Sequence, residues 1–74
     1  MNFALKASLL IAVDAYAGEW LTLPRLVARV VRPMHEVESI CDELVATGQM
    51  QADRMPDGTR CFGVQCQPLG GAAQ

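Results

Sequence analysis

The sequence predicts a small α+β domain: three helices followed by a C-terminal β-hairpin. Three observations carry this. First, two apolar stripes at helical spacing, Leu26, Val27 and Val30 and then Val37, Ile40, Cys41, Leu44 and Val45, stand either side of the break Val31-Arg32-Pro33. Second, two short extended runs flank the turn sequence Pro56-Asp57-Gly58-Thr59. Third, an apolar stretch from Phe3 to Ala17 closes at Gly18. With 74 residues there is room for one core, which buries only about 60% of the unfolded surface. The domain is expected over residues 1–67, with the small, Gly-rich residues 68–74 as a flexible tail.

Taken in order, Phe3 to Ala17 is the first helix. Leu5, Leu9, Ala12 and Tyr16 follow the i, i+4, i+7, i+11 rule and form its core face. Phe3, Leu10, Val13 and Ala17 form a second apolar stripe, shared with Lys6 and Asp14. A helix apolar on two sides wants two partners, so this stripe is the expected interface of a homodimer. Trp20-Leu21-Thr22 is bulky and extended, which suits a short strand. Thr22 is placed to cap a second helix that has Pro24 in its first turn and runs to about Val31. Pro33 cannot continue that helix but can open a third, which runs to Thr47 and stops at Gly48. Gln49 to Met55 and Arg60 to Gln65 are the hairpin strands. Asp57-Gly58 supplies the turn, Asp by bonding to nearby backbone and Gly by taking positive φ.

Several chemistries find no foothold. Lys6, the apolar run Ala7 to Val13 and the small-x-small Ala15-Tyr16-Ala17 have the order of a secretory leader. The run is at the short limit, however, Asp14 interrupts it, and cleavage would remove the first helix. No stretch approaches the roughly 20 apolar residues of a membrane span. Three cysteines cannot all pair internally, so a reducing, cytoplasmic setting is expected. Cys41 falls in a core stripe, while strand alternation puts Cys61 on the face opposite Phe62 and Val64, towards solvent. With Cys66 five residues on and no C-x-x-C pair, no metal site or cofactor is expected. His35 stands alone and reads as a solvated side chain. There is no phosphate-binding glycine loop, nucleophile elbow or H-E-x-x-H, so no enzyme is expected.

The order helix, short strand, helix, tight turn, helix, hairpin resembles the winged helix–turn–helix family of small DNA-binding domains. The resemblance covers about Phe3 to Gln65. Val37, Cys41, Leu44 and Gly48 fall at the steps of four, three and four of that family's recognition helices, with Cys41 where a leucine is usual. It implies a DNA-binding transcriptional regulator, acting as a homodimer on double-stranded DNA. The third helix, about residues 33–47, would enter the major groove, beside a hairpin wing at about 49–65. Carried onto this sequence, Arg25, Arg29, Arg32, Arg54 and Arg60 would meet phosphates, and Met34, His35, Glu36 and Ser39 would face bases.

The charges admit a second function. The net charge is −2, not the basic balance of a chain held to phosphate by bulk charge. From Pro24 to His35 there are three arginines and no acid; from Glu36 to Glu43 there are four acids and no base. Carboxylates on a helix in the major groove repel phosphates. The arginines also suit ion pairs with the acids of the third helix. The alternative is therefore a protein-interaction module, whose acidic face of Glu36, Glu38, Asp42 and Glu43 docks a basic partner.

Overall fold

The computed structural model describes residues 3–69. The order is α1 (Phe3–Ala15), β1 (Leu21–Thr22), α2 (Leu23–Val30), α3 (Met34–Ala46), β2 (Gln51–Arg54) and β3 (Arg60–Gly63). The strands form one antiparallel sheet in the order β1-β3-β2, so the last strand in sequence lies at the centre. Leu21 pairs with Phe62 and Thr22 with Cys61 on one side, and Ala52 with Phe62 and Asp53 with Cys61 on the other. The architecture is thus α+β, with three helices and a three-stranded antiparallel sheet.

The core forms where the apolar stripes of the three helices meet the inner face of the sheet. Leu5, Leu9, Ala12, Leu26, Val37, Ile40, Cys41 and Leu44 join Leu21, Met50 and Phe62 there. Phe62 is the largest side chain closed off from water. Burial of this kind contributes about 1.5–3 kcal/mol for each large aliphatic or aromatic side chain, against the entropy of ordering the chain.

The helix ends follow from local chemistry. Gly18 and Gly48 lie at φ +92° and +82°, which ends α1 and α3 as expected. The Pro33 carbonyl accepts the first helical N–H bonds of α3, from Glu36 and Val37, so this proline opens the helix. Thr22 precedes α2, but its hydroxyl makes no capping bond there; its backbone is committed to β1 instead. In the hairpin turn Asp57 Oδ1 accepts from the Thr59 N–H at 2.9 Å. The strands are shorter than the apolar pattern suggested, since regular pairing spans only four residues on each side of the turn.

The outer face of the sheet is also covered. The chain after β3 folds back across it as a strap. Gln51 clamps the strap backbone at both ends of its amide: Nε2 donates to the Cys66 carbonyl at 3.0 Å and Oε1 accepts from the Cys66 N–H at 2.7 Å. The Trp20 indole N–H donates to the Gln67 carbonyl at 2.9 Å, and the Leu69 N–H donates to Asp53 Oδ2 at 2.8 Å. The bonds from Leu69 and Arg54 hold the Asp53 carboxyl below the usual carboxylate range. Gly63 sits under this cover. A Cβ there would lie 2.6 Å from Cys66 Sγ and 2.8 Å from the Glu19 carbonyl oxygen, so only glycine fits.

The strap corrects two expectations. Cys61 points away from Phe62, as alternation requires, yet it is fully buried because the strap covers that face. Pro68 and Leu69, assigned to a free tail, follow the strap as far as the Asp53 tie; residues 70–74 lie outside the described residues. On α1, Val13 is 0% exposed and belongs to the core, so it is not available to a dimer stripe. The physical reason is angular: four residues on from Leu9, it lies only about 40° round the helix from it.

Val31, in the turn between α2 and α3, adopts a left-handed conformation at φ +55° and bonds its N–H to the Val27 carbonyl at 2.8 Å. A β-branched residue is strained there by roughly 1–2 kcal/mol. Its side chain is 81% exposed, so packing returns nothing. Val31→Gly is expected to raise stability by about 0.5–1 kcal/mol after allowing for the greater freedom of glycine in the unfolded chain. Urea unfolding measures this; a lower midpoint for the variant would refute the strain.

Candidate functional site

The basic side chains divide into two groups, those paired with the acids of α3 and those without a carboxylate partner. All four acids of α3 are ion-paired within the chain. Arg60, on β3, donates Nη1 to Glu38 Oε2 and Nη2 to Asp42 Oδ1, both at 2.7 Å, and its guanidinium lies 4.9 Å from the centre of the Phe62 ring. The two carboxylates, Asp42 first, push the Arg60 pKa above its ordinary value. Arg32 Nε donates to Glu36 Oε1 at 2.6 Å, and Lys6 of α1 pairs with Glu43. Arg60 and Arg32, expected at phosphates, and Glu36, expected at a base, are thus ion-paired within the free domain. On the acidic face a cation sits against each carboxylate, with Asp42 and Glu43 about half exposed.

The second group comprises Arg25, Arg29 and Arg54. Among the described residues none of these pairs with a carboxylate. Arg54 Nη1 donates to the Gly58 carbonyl across the hairpin turn at 2.9 Å. Arg25 and Arg29 project from one face of α2. Arg29 lies over the Tyr16 ring, 5.2 Å from its centre, with Nη1 3.5 Å from the Tyr16 hydroxyl. Together with Tyr16, Leu21, Leu26 and Ala28 they line a groove of about 310 Å³ between the end of α1, β1 and α2. The sequence pointed to the arginines by their spacing but not to the groove, because Tyr16 and Leu21 come alongside α2 only in the fold.

Met34, His35 and Ser39 are all exposed; His35 and Ser39 lie on the side of α3 away from Val37, Ile40 and Cys41, whereas Met34 lies above Val37 and Cys41 on the core side and is exposed because it opens the helix. Val31 and Met34 put two apolar side chains in water beside one another in sequence at the α2–α3 turn. On α1 the outward apolar face differs from the expected stripe. Phe3 and Ala17 are exposed, Leu10 packs partly against the core, and Val13 is buried. Ile11, at 69% exposure, stands on the outward face with Ala4, Ala7 and Ala15. Ile11 lies outside both of the i, i+4 stripes traced in the sequence, which is why it escaped notice.

The three cysteines are free thiols, all buried. Burial pushes the Cys41 pKa up to about 12 and raises those of Cys61 and Cys66, so all three are held as protonated, weakly reactive thiols. Among the described residues no three His, Cys, Asp or Glu side chains converge as metal ligands, and no helix is long and apolar enough to cross a membrane. No protein-family model matches the chain, and comparison with curated proteins and with solved structures finds no match.

The two groups of arginines should respond differently to removal. Arg60→Met is expected to cost about 1–2 kcal/mol in urea unfolding, because it leaves Glu38 and Asp42 as like charges on α3. Arg25→Met should change stability by less than about 0.5 kcal/mol. Equal costs would mean that the Arg60 bridge contributes no more than a surface charge.

Proposed function

We propose that this chain is a winged helix–turn–helix domain that binds duplex DNA as a homodimeric transcriptional regulator. The observation that carries the proposal is the division of charge. Lys6, Arg32 and Arg60 neutralise the carboxylates of α3, while Arg25, Arg29 and Arg54 stand without carboxylate partners on α2 and the hairpin. The acidity of the third helix, the strongest objection from sequence, is largely cancelled inside the domain. The element order, with β1 paired to the last strand, fits the winged layout. In this reading Arg25, Arg29 and Arg54 meet phosphates, and Met34, His35 and Ser39 face base edges in the major groove. The free thiols fit a reducing compartment, the cytoplasm. The domain supplies recognition, not a catalytic step.

The test is fluorescence anisotropy of a labelled random-sequence duplex at low and moderate salt. Three phosphate contacts per protomer predict a log–log salt slope of about −3 for each protomer bound. Arg25→Glu with Arg29→Glu should weaken binding by roughly tenfold or more. Absence of binding at low salt, or an affinity indifferent to this double reversal, sinks the proposal.

The dimer is assigned to the outward face of α1, with Phe3, Ala7 and Ile11 meeting their counterparts in a second copy. Small alanines between two large apolar side chains let helix backbones approach closely. Sedimentation velocity at high micromolar concentration should show a dimer that Ile11→Glu converts to monomer without loss of helical circular dichroism. A wild-type chain that sediments as monomer there removes this role from α1.

A further inference from the structure

The groove beside α2 has a composition that phosphate contact does not require. Its lining is largely apolar: Leu21 and Leu26, both buried in the core, lie beneath it, the exposed Ala28 leaves room at its rim, and the half-buried Tyr16 ring forms a wall. Two guanidiniums stand over this apolar floor, four residues apart on one helix face. Like charges at that spacing disfavour the helix, and α2 contains no acid to offset them. Asp14 and Glu19, which flank Tyr16 in sequence, form no ion pair with either arginine. At about 310 Å³ the groove is at the small end of ligand sites, enough for a body the size of one large side chain.

We propose that this groove binds a small amphipathic monocarboxylate, with its apolar body against Leu21, Leu26 and Ala28 and its carboxylate held between Arg25 and Arg29. The guanidinium fork matches a carboxylate with two parallel N–H···O bonds. Neutralising one negative charge there relieves the repulsion between the two arginines. The Tyr16 ring, already stacked with Arg29, closes one side of the groove and offers its hydroxyl to the second carboxylate oxygen. A bare phosphate would satisfy the cations but make no use of the apolar lining. A neutral apolar molecule would cover the floor but leave the cations unpaired. The carboxylate with an apolar body answers both. Binding itself is independent of the DNA proposal; resting on that proposal is a corollary, that ligand and DNA compete for the same two guanidiniums.

The test is a two-dimensional amide NMR titration of the folded chain with 3-phenylpropionate, and in parallel with 3-phenylpropanol, its neutral counterpart. Saturable shifts are expected at the amides of Leu21, Arg25, Leu26, Ala28 and Arg29, with the alcohol bound roughly tenfold more weakly. In Arg25→Gln with Arg29→Gln the spectrum should keep its dispersion, and the acid should fall to the affinity of the alcohol. Equal affinity of acid and alcohol, shifts centred elsewhere such as the outward face of α1, or no saturation overturns the site. Displacement of the labelled duplex by 3-phenylpropionate is a separate readout. A chain that binds the acid in this groove without binding DNA retains the site and overturns only the DNA proposal. Simultaneous binding of both overturns only the competition.

Discussion

The domain depends on a demand made by its central strand. β3 is four residues long, pairs on both edges, and needs cover on both faces. Phe62 fills the inner face and lies in one core cluster with residues of all three helices and Met50. Cys61 and Gly63 fill the outer face, which no helix reaches, and the chain supplies its own cover by returning Val64 to Leu69 across it. The Gln51 amide makes that return specific, because it satisfies both backbone polar groups of Cys66 at once. Without this cover a central strand of so small a sheet would be wet on one side, and its two-residue neighbour β1 would have little reason to stay paired.

The same strand sets the electrostatics. Its first residue, Arg60, spans from the sheet to α3 and lies over Phe62, so the apolar centre and the ion pairs share one guanidinium. The bridge ties α3 to the central strand. It also removes charge from the helix that the proposed function presents to DNA. Arg32 and Lys6 complete this neutralisation from the turn and from α1. The arginines that remain unpaired then lie on α2 and the hairpin, Arg54 there standing beside Asp53 and Asp57, a distribution that a net charge of −2 conceals.

Much of this was legible in the chain. Helical periodicity located the three helices, and Gly18, Pro33, Gly48 and Asp57-Gly58 marked their limits and the turn, because each acts through its own backbone chemistry. Cys41 was recognisable as a core thiol from its place in the stripe. Burial around α1 was less legible. A stripe drawn at i, i+4 does not say where the core boundary falls: Val13, expected on the outer stripe, is buried, and the exposed Ile11 belongs to neither stripe. Least legible was the strap; ion pairs between arginines and the acids of the third helix were expected in kind, but not which residues would meet. Gln51 with Cys66 and Arg60 with Asp42 join residues 15 and 18 apart, and no local pattern encodes such meetings. The groove was hidden for the same reason: its arginines were visible, but its walls come from two other elements.

The position of Trp20 has an optical consequence. It is the only tryptophan in the sequence, and its indole N–H is bound to the strap at Gln67 instead of lying among the core residues around Phe62. Its emission therefore reports the docking of residues 64–69 on the sheet. Tryptophan emission from this chain speaks for the outer layer, while far-ultraviolet dichroism speaks for the helices. Where the two transitions separate, the outer layer has come away from an intact helical core, and the chain has ceased to behave as a two-state folder.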